Sequence, residues 1–142
     1  MYQFVIPIHH VNWSTRSVLE GISQKYKPKQ IYVVTSDQEI KIFKDKSNSW
    51  DIENLTLLDE DNFFLNKYGL TKKDIVSQIT QNKPNYSPGW LYQQIIKLGA
   101  SDIIDELEDV FLIWDADLLP VKSWPILDEK KEKFALLQDK SY

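Results

Sequence analysis

The sequence predicts an α/β fold, a mostly parallel sheet flanked by helices. Residues 3–8 and 30–35 are strand-like apolar runs separated by one helix-periodic segment, 14–26, which is the order of a right-handed parallel βαβ unit. Helix-periodic stretches then alternate with further short apolar runs at 55–58 and 110–114. The last of these, Val110-Phe111-Leu112-Ile113-Trp114, leads straight into Asp115-Ala116-Asp117 and is stopped by Pro120. It reads as a buried strand that ends at a polar edge.

Taken in order, Gln3 to Ile8 forms the first strand, with Pro7 near its end because proline cannot donate to a ladder. His9-His10-Val11-Asn12 is a polar elbow beyond it. Val18, Leu19, Ile22 and Tyr26 fall on one face of a helix over Ser14–Tyr26, with Asn12 or Ser14 as N-cap and Pro28 closing it. Gln30 to Thr35 is β-branched and continuous, a second strand ending in Ser36-Asp37. Ile40 to Phe43 fits a short strand or a helix turn, and the Asp, Lys, Ser and Asn gathered in Lys44 to Trp50 suggest a loop. Leu55 to Leu58 is a third strand, followed by the acidic trio Asp59-Glu60-Asp61, which is expected to be solvated, with its place after a strand keeping a ligand role open. Thr71 with Asp74 three residues on opens a helix through Ile75, Val76 and Ile79 that fades at Asn82-Lys83-Pro84.

After the loop Asn85 to Gly89, Trp90 to Leu98 is strongly patterned. At about 100° per residue, Leu91, Tyr92, Ile95, Ile96 and Leu98 share one face, and Trp90, Gln93, Gln94 and Lys97 the other. The second face suits either a solvated side or the lining of a cleft. Gly99 is expected to end this helix and Ser101 to cap a short one through Leu107. Phe134 to Leu137 reads as one more strand.

Composition narrows the function. At 142 residues the chain has the length of one domain, with 42% hydrophobic and 27% charged residues and a 13% aromatic content rich for its size. A net charge of -4 without any lysine or arginine cluster argues against nucleic acid as the partner. The absence of cysteine removes disulfide frameworks and thiolate metal sites. No apolar run is long enough to span a membrane and the start lacks a basic signal-like region, so the expected location is cytoplasmic, a peripheral position at the inner membrane face included.

The acid pair carries the chemistry. If the extended geometry persists, Asp115 and Asp117 point the same way from the carboxyl end of a strand, the end where open α/β sheets bind ligands. Two hard oxygen donors suit magnesium or manganese shared with a phosphate. An Asp-x-Asp alone also marks solvated turns, and the apolar lead-in is what favours a site. His9 and His10 suit metal ligation or acid–base work, although strand-end histidines more often bond locally or contact a ligand.

With Pro88-Gly89-Trp90-Leu91-Tyr92-Gln93-Gln94-Ile95-Ile96-Lys97-Leu98 followed by the strand into Asp115-Ala116-Asp117, the chain resembles the amino-terminal half of a glycosyltransferase of the Rossmann-like GT-A, nucleotide-diphospho-sugar transferase fold. More narrowly, it is similar to a bacterial family of uncharacterised glycosyltransferase-like proteins with this Gly-Trp…Gln-Gln…Lys helix before an Asp-x-Asp strand. The resemblance covers nearly the whole chain in element order, but only the helix and the acid pair are specific. It implies a sugar-nucleotide donor and an acceptor that is a glycan, lipid or protein. Asp115 and Asp117 would hold Mn²⁺ or Mg²⁺ against the diphosphate, and His9, His10, Ser36 and Asp37 would lie around the nucleotide. Trp90, Gln93, Gln94 and Lys97 would line the donor cleft. Domains of this fold are normally much longer, so the resemblance also implies that residues 1–142 form a donor-binding half, C-terminally incomplete, with no catalytic residue assignable. Leu118, Leu119, Val121, Trp124 and Ile126 would then leave apolar surface that favours self-association.

Two other readings fit the same acids. A haloacid-dehalogenase-type phosphatase uses Asp-x-Asp after an apolar strand, with the first acid as nucleophile, although there the pair lies on the first strand of the core. A non-catalytic nucleotide-binding module would use the acids merely to end a strand.

Overall fold

The computed structural model describes residues 1–128 and 131–132. In chain order the elements are β1 (Gln3–Pro7), α1 (Thr15–Tyr26), β2 (Gln30–Thr35), α2 (Asp37–Lys46), a 3-10 turn (Ser47–Ser49), β3 (Leu55–Asp59), α3 (Leu65–Tyr68), α4 (Lys72–Asn82), α5 (Pro88–Ile103), β4 (Leu112–Ile113), β5 (Leu127–Asp128) and β6 (Lys131–Glu132).

Side-chain alternation in β1 and β2 organises the layers. The two strands pair in parallel with Gln3 opposite Gln30 and Pro7 opposite Val34. Phe4, Ile6, Ile31 and Val33 point to one face, where Val18, Leu19 and Ile22 of α1 and Phe43 of α2 cover them. Val5, Tyr32 and Val34 point to the other, against Tyr92, Ile96 and Ala100 of α5. Both faces are therefore buried, which is why these strands read as unbroken apolar runs. The main sheet has four strands in the order β3-β2-β1-β4, all parallel, with helices on both faces. From β1 the chain steps outward through β2 to β3. It then returns through α3, α4 and α5 to place β4 on the far side of β1. The strand order thus reverses between β1 and β4, and a crevice opens there at the carboxyl ends of the strands.

Local chemistry sets the helix limits. Lys27 takes a left-handed conformation (φ 46°) and ends α1 one residue before Pro28. Thr71 and Asp74 form the expected reciprocal capping box on α4. Ser87 accepts from the Trp90 backbone N–H and Pro88 begins α5, where its missing N–H costs nothing.

Several expectations are corrected. The segment Ile40 to Lys46 belongs to α2, capped by Ser36, rather than to a strand followed by a loop. Gly99 does not end α5. A Cβ there would meet Phe64 Cε1 at 2.7 Å, so the glycine admits the ring, and the helix runs on to Ile103 without a second helix capped by Ser101. Leu98, expected on the buried face, is 83% exposed, while Ala100 is buried in its place. Glu60 is buried rather than solvated. The apolar run at 110–114 contributes only Leu112 and Ile113 to the sheet, and β4 lies at its edge. A strand paired on one side leaves its outer residues to solvent, and Ile113 is 39% exposed. The expected strand at 134–137 lies outside the described residues. Among the described residues, no helix is long and apolar enough to cross a membrane.

Candidate functional site

Three segments converge at the crevice between β1 and β4. The first follows β1. Ile8 N–H still bonds to Val34 O at 2.9 Å, so sheet order persists to the edge of the elbow. Asn12 then ties the elbow to α1. Its Oδ1 accepts from the Ser14 N–H (2.9 Å) and hydroxyl (2.7 Å), and its own N–H donates to Thr15 Oγ1 (2.9 Å). Behind the elbow stands Glu39, a buried acid on α2, whose Oε2 accepts from Val11 N–H at 2.9 Å and whose Oε1 lies 3.1 Å from His10 Nδ1. The Val11 N–H, helped by His10, holds the Glu39 carboxyl below its ordinary value against the opposing effect of burial.

The second segment is α5. Tyr92 and Ile96 are buried against the sheet, which turns Trp90, Gln93, Gln94 and Lys97, spaced by three and four residues, onto the crevice side. The helix is anchored by the Tyr92 hydroxyl, which donates to the Glu60 carbonyl, while the Glu60 carboxylate pairs with Lys72 at 2.7 Å. Burial, reinforced by the neighbouring acids, pushes the Tyr92 phenol well up, keeping it a donor.

The third segment carries the acids. Gln3 fixes its approach, donating from Nε2 to Glu106 O (2.9 Å) and accepting the Glu108 N–H at Oε1 (2.6 Å). After β4, Trp114 N–H bonds to Val5 O (3.0 Å), and the chain turns, with Leu118 N–H on Asp115 O at 3.1 Å. The Trp114 indole N–H closes the turn by donating to Leu118 O at 2.7 Å. Pro120 then packs against α1 so closely that a Cβ on Gly21 would lie 2.9 Å from Pro120 Cγ. The strand therefore stops before the acids, and a shared strand face is not what groups Asp115 and Asp117. The turn does so, and both line the crevice. Lys97 Nζ donates to Asp115 Oδ1 at 2.5 Å, an ion pair linking the second segment to the third.

The result is a cleft of about 620 Å³, within the range of small-molecule sites. Size does not single it out, since a groove on α4 lined by Leu70, Ile75, Ile79 and Ile95 encloses about 610 Å³. Chemistry does. His9, His10, Trp90, Gln93, Gln94, Lys97, Asp115 and Asp117 all line the cleft. Ser36 and Asp37 are not among its lining residues. Ser36 accepts from the Glu39 backbone N–H as the N-cap of α2, and Asp37 pairs with Lys41. Glu39 was missed by the sequence reading, because a Ser-x-x-Glu at a helix start signals only a cap. The Lys97–Asp115 pair was missed too, since eighteen residues and a strand separate its members.

Such an arrangement defines an α/β protein whose parallel sheet opens, where its strand order reverses, onto a polar cleft. Two carboxylates there meet a lysine, three amides, two imidazoles and an indole. The chain belongs to a family of unknown function (DUF6492), which matches residues 16–138. No curated protein and no solved structure matches it.

Proposed function

We propose that the protein is a metal-dependent glycosyltransferase of the GT-A type, or the donor-binding portion of one, acting on a nucleotide-diphosphate sugar. The observation that carries this reading is the convergence of Asp115, Asp117 and Lys97 on one cleft at the switch point of a parallel sheet. In the reaction an acceptor hydroxyl attacks the anomeric carbon and its proton passes to water or to the departing diphosphate, while the bond from that carbon to the diphosphate breaks with its electron pair leaving on oxygen. The leaving group departs only if its growing negative charge is neutralised.

The residues present fit a divalent cation. Among the described residues no group of three or more histidines and acids is placed to hold one. Magnesium and manganese, however, are commonly bound by one or two carboxylates with the substrate phosphates supplying further ligands, and Asp115 already keeps a cationic partner in Lys97. Asp115 and Asp117 would hold the ion, which when bound supplies positive charge against the diphosphate oxygens. Lys97 adds a charge-assisted hydrogen bond to the same oxygens. Trp90, half exposed, offers an aromatic face for a base or sugar, and Gln93 and Gln94 offer amide donors and acceptors to hydroxyls.

The test is incubation with manganese, a panel of sugar nucleotides and a mixture of glycan, lipid and peptide acceptors. Free nucleoside diphosphate is the expected product, absent when the metal is chelated. Release of inorganic phosphate from phosphate monoesters, with a phosphoryl group trapped on Asp115, would replace this reading with a phosphatase.

A further inference from the structure

The sequence Ser36-Asp37-Gln38-Glu39 has the form of a capping box, in which the glutamate ordinarily reaches back to the N-cap backbone. In this protein Ser36 accepts from the Glu39 N–H, yet the Glu39 side chain turns away from its own helix. Both of its oxygens are used across the chain, on Val11 N–H and on His10 Nδ1. Glu39 is only 7% exposed, whereas the His10 side chain is 69% exposed and lines the cleft. A buried carboxylate is costly unless its oxygens are satisfied, and the backbone bond alone would have anchored the elbow.

We propose that Glu39 is a positioning residue that holds His10 in the Nδ1–H tautomer, so that Nε2 is offered to the cleft as an acceptor for a hydroxyl of the bound nucleotide. This rests on the function proposed above and adds to it a contact with the nucleotide's hydroxyls rather than its phosphates. An ionised carboxylate has no hydrogen to donate, so the imidazole nitrogen facing it must carry one. The Val11 N–H bond keeps Glu39 ionised, as its lowered pKa reflects. In the neutral ring Nε2 then keeps its lone pair, and the hydrogen bond at Nδ1 fixes the plane in which that lone pair points.

Glu39→Gln separates this role from simple anchoring. The glutamine carbonyl can still accept the Val11 N–H, but its amide then faces Nδ1 as a donor and drives His10 to the Nε2–H tautomer. The chain has two histidines, so ¹⁵N spectra of the imidazoles are assigned by single substitutions. The expected results are Nδ1–H in the wild type and Nε2–H in Glu39→Gln. With manganese present at pH 8, Glu39→Gln and His10→Ala should each weaken uridine diphosphate binding about tenfold, the net effect of one hydrogen bond, with no further loss in the double variant. Both should bind inorganic pyrophosphate, which lacks a sugar hydroxyl, as the wild type does. An Nε2–H tautomer in the wild type overturns the inference, as does unchanged nucleotide binding by a folded Glu39→Gln or an equal loss for pyrophosphate. If Glu39→Gln does not fold, the wild-type tautomer and the His10→Ala comparison decide it. Wild-type protein that binds neither ligand overturns the nucleotide contact, while the sugar-nucleotide panel decides the proposed function separately and the tautomer still reports whether Glu39 orients His10.

Discussion

Replacing Lys97 with methionine should change two affinities in opposite directions. The substitution keeps most of the apolar stem, and the Lys97 side chain is only 20% exposed, so packing on α5 is largely conserved. The ion pair it removes ends on Asp115, whose side chain is 61% exposed. An exposed pair of this kind contributes about 0–1 kcal/mol, and the melting temperature should therefore move little. Manganese alone should bind more tightly. A lysine ammonium competes with the metal for Asp115, and even in a water-like dielectric a divalent ion and an ammonium about 4 Å apart repel by about 2 kcal/mol before salt screens it, so removing the ammonium improves metal affinity by roughly fivefold or more. Diphosphate in saturating manganese should bind more weakly. A hydrogen bond to a charged group is worth about 1.5–3 kcal/mol, and with part of that offset by the stronger metal the net loss is on the order of tenfold. Calorimetric titration of each ligand at low and high salt measures both, and the diphosphate effect should shrink as salt screens it. Weaker metal binding, or unchanged diphosphate binding, would refute the role given to Lys97.

Three further outcomes follow from the packing and the charges. Gly99→Ala should destabilise the fold by about 1–2 kcal/mol in urea unfolding despite a better helix propensity, because its Cβ meets the buried Phe64 ring at 2.7 Å; a stabilised variant would show that the ring moves freely. Gly21→Ala should weaken metal-dependent diphosphate binding although Gly21 is not among the cleft residues, since its Cβ presses on Pro120 and displaces the turn carrying Asp115 and Asp117; unchanged binding would uncouple that contact from the site. Glu39 and Glu20 have carboxyls held below the ordinary value of 4.5, mainly by the backbone N–H groups of Val11 and Asp51 respectively. Their stabilisation is present above that value and is lost as pH falls through the lower folded-state pKa, so stability should drop in acid, and Glu39→Gln should show a shallower drop by thermal melts below pH 5.

Much of this architecture was legible in the chain. Gln30 to Thr35 declares itself because a strand buried on both faces needs no polar alternation, and Thr71 with Asp74 declares α4 because a capping box is a local interaction. Errors arose where distant contacts override local signals. Gly99 looks like a helix end until Phe64, thirty-five residues away, is seen against it. Leu112 and Ile113 look buried until the sheet order places β4 at an edge. For the site, the helical spacing of Trp90, Gln93, Gln94 and Lys97 and the pairing of Asp115 with Asp117 were readable, although a turn rather than a strand groups the acids. Ser36 and Asp37 follow a strand as ligand-binding residues often do, yet α2 begins at once and uses Ser36 as its cap. The role of Glu39 depends on a fold that brings α2 beside the β1 elbow, which no local pattern encodes.

The most direct measurement is equilibrium binding of a panel of nucleotide-diphosphate sugars to the wild type, Asp115→Asn and Asp117→Asn, each with manganese and with chelator. Both aspartates lie in an exposed turn, so the variants should fold like the wild type. The expected result is saturable binding of at least one sugar nucleotide by the wild type that requires metal and is abolished or greatly weakened in both variants. Binding of equal strength in chelator, or binding unchanged in the two variants, would contradict it.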